Sequence, residues 1–218
     1  MLGVLFVALA AASDAGRTAP IYSALRRRQA HPQRGGRRRF SRAVKVVAKP
    51  WMQLPLAAVA SAGLRYCTIP GAFAVSGAAI GALLADKACK AIVRRERPPG
   101  YHGSEKYQSF PSGHTASTAA VTLTAARLLE RAAVVPPPWA SVGAVLTTTV
   151  VAETRFMLDE HWPSDLVGGA LLGTAIALSA RAATSSLKAN GRLPSRLTTK
   201  SAGLRTDWGS ERASPTKR

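Results

Sequence analysis

Three short polar clusters in this chain of 218 residues combine residue types that suit chemistry on a phosphate group. The first cluster runs from Lys90 to Arg97-Pro98. Lys90 and Arg97 are seven residues apart, so on a helix that stops at Pro98 they would share one face, two turns apart. Two cations on one face at a helix end suit a polyanion such as phosphate.

The second cluster, Phe110-Pro111-Ser112-Gly113-His114, comes directly before an apolar run of helical length. Proline and glycine shape a turn, and the backbone N–H groups at the start of the next helix then form a cradle for an anion. The Ser112 hydroxyl adds a further donor or a helix cap. His114 is available as a general acid for a leaving oxygen.

The third cluster runs from Thr154-Arg155 to His161 and Asp165. His161 and Asp165 are four residues apart, so they would be in contact if a helix begins near His161. A carboxylate bonded to one imidazole nitrogen fixes the tautomer and raises the basicity of the other nitrogen. His161 is therefore a candidate nucleophile that Asp165 orients. Arg155 adds a third cation for phosphate.

Five long runs without Asp, Glu, Lys or Arg provide the elements that would position these clusters. They are fourteen to twenty-one residues long and rich in Ala, Gly and Thr, and they cover residues 51–64, 69–85, 110–126, 132–152 and 166–180. A membrane-spanning helix needs about 20 apolar residues, and small residues suit helix contacts in a membrane. A soluble buried bundle is the alternative, but five such runs leave it little polar face. We expect an all-α transmembrane bundle of about five to six helices, with the three motif loops meeting at one membrane face.

The net charge of +19 is concentrated at the two ends of the chain. Residues 1–49 carry a net charge of +10, residues 183–218 carry +6, and residues 50–182 carry only +3. This division predicts an N-terminal apolar segment with a basic connector over 1–49, a membrane-embedded core over 50–182, and a basic, disordered tail over 183–218. A whole chain that is disordered is excluded because 47% of its residues are hydrophobic.

The N-terminal region contains two features of different character. Residues 1–13 are apolar without the basic start of a signal peptide, which favours a membrane-embedded helix. Residues 26–49 contain ten basic residues and no acid, typical of a solvated connector, a surface for anionic lipid headgroups, or a nucleic-acid contact. Nucleic acid is not favoured, because Phe40 is the only aromatic residue that interleaves with them. Cys67 and Cys89, with no partner His or Cys nearby, are expected to be buried free thiols.

Taken together, the three clusters resemble the motifs of the type-2 phosphatidic acid phosphatase and vanadium haloperoxidase superfamily. The family pattern is Lys-x6-Arg-Pro, then Pro-Ser-Gly-His, then Ser-Arg-x5-His-x3-Asp, and its order and internal spacings recur here over about residues 69–182. Thr154 stands where the pattern has Ser; it keeps the hydroxyl and adds a methyl group. The resemblance implies that His161 attacks phosphorus to form a phosphohistidine, Asp165 orients it, and His114 protonates the leaving group. It also implies a phosphate site made of Lys90, Arg97, Ser112, Gly113, Thr154 and Arg155.

The uncharged runs favour the membrane branch of that superfamily, which implies an integral membrane lipid phosphatase. Phosphatidic acid, phosphatidylglycerol phosphate, or a polyprenyl phosphate or diphosphate would be the substrate. No cofactor or metal is expected, because the sequence offers no carboxylate cluster for a divalent ion. The alternatives are a soluble acid phosphatase of the same superfamily and, less favoured, a basic nucleic-acid-binding protein.

The basic residues also predict an orientation in a bacterial cell membrane. Arg127, Arg131 and the basic tail would lie opposite the active face, so that side is expected to be cytoplasmic and the active site extracytoplasmic. The basic residues 26–49 fit in two ways: either residues 51–64 lie in the interface, or they span and place the basic residues on the outer face. The family-like arrangement of six helices has them outside.

Overall fold

The computed structural model describes residues 35–189, together with Phe6, Pro20 and residues 23–25. Residues 35–189 form six helices and contain no strand. In chain order the helices are α1 (Gly35–Val47), α2 (Pro50–Tyr66), α3 (Ala74–Val93), α4 (Gly113–Arg131), α5 (Trp139–Met157) and α6 (Pro163–Ala189). The all-α prediction is confirmed, and most of each of the five uncharged runs lies on a separate helix, α2 to α6.

Small side chains fill the centre of the bundle, where α4 packs against α2, α3, α5 and α6. Alanines dominate the buried clusters between these helices. A Cβ atom on Gly169 would lie 2.5 Å from the Ser112 carbonyl oxygen, and one on Gly173 would lie 2.3 Å from the Ala116 carbonyl oxygen. Glycine at these two positions of α6 therefore lets its backbone approach the backbone of α4, as in close helix pairs within membranes.

The large apolar side chains lie mainly on the outside of the bundle. Exposed residues of this kind on α2, α3, α5 and α6 include Val59, Ile80, Leu84, Ile92, Val145, Leu146 and Val167. By length and apolar composition, α6 over Pro163–Ala180 qualifies as a candidate membrane span, with a mean hydropathy of 1.2. Among the described helices it is the one that does. The sequence led us to expect more, but α2 has only 17 residues, and charged residues lie within the bounds of α3, α4 and α5.

Four segments and both cysteines differ from the sequence-based expectation or fall outside the described residues. Residues 35–47 of the predicted basic connector form helix α1, and α6 continues to Ala189, beyond the predicted end of the core at residue 182. Residues 1–13, apart from Phe6, and residues 190–218 lie outside the described part of the chain. Cys67, expected to be buried, is exposed where it follows the end of α2, and Cys89 is half-buried.

Successive helices run in opposite directions, so several helix ends lie together at one end of the bundle. α3 and α5 end there, and α4 and α6 begin there, so the three polar clusters meet at this end. α2 begins at the same end, directly after α1, and its later residues pack near the far end of α4. Arg127 and Arg131 lie in the last turns of α4, at the opposite end.

Candidate active site

A pocket of about 890 Å³ opens where the three polar clusters meet. Four of the residues predicted for the site line it: Lys90, Arg97, His114 and His161. Three residues that the sequence analysis did not single out line it as well: Lys45, Asp86 and Glu160. The other predicted residues are buried and do not line the pocket, although each belongs to one of the polar clusters that meet there: Ser112, Gly113, Thr154, Arg155 and Asp165.

His161 lies in the loop before α6 and is only 2% exposed. Its Nδ1 is 2.8 Å from the carbonyl oxygen of Ser109 and 3.5 Å from Oδ2 of Asp165. Nδ1–H therefore donates to the Ser109 carbonyl, which leaves Nε2 as the bare nitrogen. Nε2 is 3.4 Å from Nη1 of Arg97, a cation that a protonated Nε2 would repel. Burial lowers the pKa of His161, which keeps Nε2 available as a nucleophile.

Asp165 holds together the chain segments around His161. It accepts hydrogen bonds from the Ser109 hydroxyl and from the backbone N–H of Trp162, the latter at 2.8 Å, and it forms an ion pair with Arg95. Arg95 also donates to Ser164 at 2.7 Å. The carboxylate thus fixes the position of Ser109, whose carbonyl in turn orients the imidazole, so its action on His161 is partly indirect.

Lys90 and Arg97 reach the pocket in a different way from the one predicted. The expectation that they share one helix face is wrong, because α3 ends at Val93 and Arg94 turns the chain with a φ of 46°. Arg97 lies in the loop that follows, where its Nη1 donates to the Glu160 carbonyl at 2.7 Å. Lys90 remains on α3 and forms an ion pair with Asp86 at 2.9 Å. Asp86 is one turn before Lys90, a spacing that the sequence displays.

Glu160 connects cations from two different helices. Its Oε2 accepts from Nη1 of Arg155 at 2.7 Å, and its Oε1 pairs with Nζ of Lys45 on α1. Arg155 is fully buried, and its Nε and Nη2 have no hydrogen-bond partner among the described residues. A buried guanidinium with two unused donor atoms is suited to bind an anion once neighbouring side chains move to admit it.

The second cluster forms the N-terminus of α4. Ser112 is the N-cap residue, although its hydroxyl accepts from Thr115 at 3.0 Å instead of capping the helix. A Cβ on Gly113 would lie 2.6 Å from Oδ2 of Asp86, so this carboxylate lies directly against the first turn of α4. His114 exposes part of its ring to the pocket, and its Nε2 is buried without a partner in residues 35–189.

Two further observations concern groups expected or excluded at the site. The hydroxyl of Thr154 donates to the Val151 carbonyl at 2.7 Å and is engaged within α5. Among the residues that the structure describes, no group of three or more His, Cys, Asp or Glu side chains is placed to hold a metal ion.

Known proteins resemble this chain in sequence and in fold. The family model described as the PAP2 superfamily matches residues 65–188. The fold is similar to a crystal structure described as the first transmembrane PAP2-type phosphatidylglycerolphosphate phosphatase, from Bacillus subtilis. The two chains share 22% sequence identity with a TM-score of 0.72, over 85% of this chain and 95% of that chain. No curated protein matches the sequence significantly.

Proposed function

Since the chain belongs to the PAP2 superfamily, we propose that it is an integral membrane lipid phosphatase acting through a phosphohistidine. The observation that carries this proposal is the state of His161: Nδ1–H is held by the Ser109 carbonyl, and the bare Nε2 lies in a pocket lined by cations. A neutral imidazole beside Lys90 and Arg97 can attack a phosphorus atom whose oxygens these cations neutralise. The family resemblance assigns the same role to His161.

The reaction proceeds in two displacements. In the first, the N–P bond forms at Nε2 of His161 while the bond from phosphorus to the ester oxygen breaks, and His114 gives its proton to the departing oxygen. In the second, water attacks phosphorus, the N–P bond breaks, and His114 takes the proton of the water. Lys90 and Arg97 stabilise the charge on the phosphoryl oxygens in both steps. We assign the N-terminus of α4 at Ser112 and Gly113, with Arg155 and Thr154, to the same phosphate site.

A lipid substrate is supported by the distribution of apolar side chains. The bundle buries alanine and threonine and exposes leucine, isoleucine and valine on its outer faces, which suits lipid surroundings better than water. The similar B. subtilis protein is described as a transmembrane phosphatidylglycerolphosphate phosphatase. We therefore propose phosphatidic acid, phosphatidylglycerol phosphate, or a polyprenyl phosphate or diphosphate as the substrate.

We propose an orientation from the cations at the end of the bundle opposite the pocket. Arg127 and Arg131 lie there, and the positive-inside rule assigns such residues to the cytoplasmic side, although the basic residues at the pocket end depart from that rule. The pocket would then face the extracytoplasmic side of a bacterial cell membrane. The described part of the basic N-terminal region, including Lys45 and Lys49, lies at the pocket end, where it is available to anionic headgroups.

The decisive experiment measures phosphate release from a panel of lipid phosphates by the protein purified in detergent from membranes. We expect hydrolysis to persist in excess chelator, and to fall at least a thousandfold in His161→Ala and at least a hundredfold in His114→Ala. His102→Ala is the matched control, because His102 is an exposed loop residue outside the pocket lining. Acid-labile radiolabel on the wild-type protein, absent from His161→Ala, would identify the intermediate. Undiminished activity in His161→Ala would overturn the mechanism, and a chelator-sensitive reaction would overturn metal independence.

A further inference from the structure

Lys45 is a cation of the pocket that comes from outside the family-matched region. It lies in the last turn of α1, whereas the family match begins at residue 65. It lines the same pocket as Lys90, Arg97 and His161. No family motif therefore assigns a role to Lys45.

The partner of Lys45 is the residue that directly precedes the proposed nucleophile in the chain. Its Nζ pairs with Oε1 of Glu160, the residue directly before His161. The backbone carbonyl of Glu160 accepts from Arg97, and Arg97 is in turn 3.4 Å from Nε2 of His161. Lys45, Arg97 and the nucleophile are therefore all arranged around a single residue, Glu160.

The Glu160 carboxylate has the surroundings that a phosphate would require. Its two oxygens bind one ammonium and one guanidinium, and the residue is only 8% exposed. A carboxylate held between two cations resembles a phosphate group in charge and in hydrogen bonding. Lys45 itself keeps 39% of its side chain exposed, so Nζ can turn from Glu160 towards a ligand in the pocket without unfolding α1.

We propose that Lys45 is a further phosphate-binding residue of the active site, and that Glu160 holds it in place until phosphate arrives. This inference rests on the proposed phosphatase function. When phosphate enters, the ammonium exchanges its carboxylate partner for a phosphoryl oxygen. Helix α1, which the sequence presents as a basic connector, thereby becomes part of the catalytic apparatus.

Binding of inorganic phosphate to the full chain in detergent, measured by isothermal titration calorimetry, tests this role directly. We expect Lys45→Met and Lys45→Gln to weaken phosphate binding about tenfold, and Lys45→Arg to stay within about threefold of wild type. Lys106→Met is the matched control: it also removes a cation from the pocket lining, but from the exposed pair with Glu96, and should change binding less than twofold.

Glu160→Gln separates a phosphate ligand from a merely structural pair. The amide keeps an acceptor for Arg155 and removes the negative charge next to the phosphate, so this variant should bind phosphate at least as tightly as wild type. If the pair served only to fasten α1, Glu160→Gln and Lys45→Met would weaken binding alike, and that result would overturn the proposal. Equal effects of Lys45→Met and Lys106→Met would overturn it too.

The outcome for the phosphatase function can be told apart from the outcome for Lys45. A wild-type protein that binds phosphate through Lys45 but hydrolyses no lipid phosphate contradicts the proposed function and leaves the binding role established. A wild-type protein that neither binds phosphate nor hydrolyses a lipid phosphate overturns both. If the wild-type protein hydrolyses a lipid phosphate but Lys45→Met binds phosphate as tightly as wild type, only the proposed role of Lys45 is overturned.

Discussion

The buried ion pair between Arg95 and Asp165 gives the sharpest prediction about stability. Both side chains are almost completely buried, with 3% and 0% exposure. Arg95→Met removes the cation and leaves the Asp165 carboxylate buried with the hydrogen bonds of Ser109 and Trp162 and the contact with His161. Asp165→Asn has the converse effect, because it leaves the guanidinium of Arg95 without its anion while keeping an acceptor for the same two donors.

The cost of breaking such a pair from either side can be stated. Removal of one partner of a buried ion pair costs about 3–5 kcal/mol, because the remaining charge has no compensation. For a protein of this size, 1 kcal/mol lowers the melting temperature by about 2–4 °C, so each single variant should lose about 6–20 °C. The double variant Arg95→Met/Asp165→Asn buries no unpaired charge. Its loss should therefore be smaller than the sum of the single losses by at least about 2 kcal/mol.

Thermal unfolding in detergent, followed by intrinsic fluorescence at a fixed heating rate, is the assay. Lys106→Met serves as the control because the pair between Lys106 and Glu96 is exposed on both sides, and its loss should leave the melting temperature close to that of wild type. Strictly additive losses in the double variant would refute the reasoning. So would single variants whose melting temperatures match that of Lys106→Met.

Two further predictions concern the chemistry of the pocket. Gly113→Ala places a Cβ 2.6 Å from Oδ2 of Asp86, so either this carboxylate, which pairs with Lys90, or the start of α4 must shift, and we expect kcat/KM to fall at least a hundredfold. Gly143→Ala, with no atom within 4 Å of the new Cβ, should leave kcat/KM within twofold. An equal, small effect of both substitutions would contradict this. Because burial lowers the pKa of His161, its imidazole should stay neutral as the pH falls to about 6.5. kcat/KM should then decrease only below that pH, and an acidic limb centred at or above 6.5 that His161 controls would be inconsistent with the structure.

The bundle and the meeting of the motifs were accessible from the sequence for a simple reason. The five uncharged runs are separated by polar segments, and the run 132–152 is broken by Pro136-Pro137-Pro138, so the sequence predicts helices that reverse direction. With the run after His114 leading away from the site and the next run returning to Arg155, the clusters had to meet at one end. The spacing between Lys90 and Arg97, by contrast, gave no sign that the helix stops at Val93. The left-handed residue that ends the helix is Arg94 and not the glycine that usually marks such an end.

The residues that support the site were harder to predict because their roles depend on tertiary contacts. Arg95 stands between two other charged residues, and nothing in the local sequence distinguishes it from Arg94, which is exposed. Only the packing of the loop against α6 buries Arg95 on Asp165. Glu160 is equally inconspicuous beside His161. Asp86 could have been found, because an acid four residues before a lysine on a helix forms an ion pair.

Helix α1 shows how one feature of a sequence can hide another. The ten basic residues within 26–49 draw attention to net charge. A helical spacing of apolar residues is less obvious: Phe40, Ala43, Val44 and Val47 line the groove that α1 forms against α5. That apolar stripe is typical of an amphipathic helix. In the structure Phe40 and Val47 each remain 56% exposed in this groove. The position of each cation on the helix therefore matters more than the net charge of the segment: Lys45, one position after Val44, reaches Glu160, while Arg39 and Arg42 remain exposed.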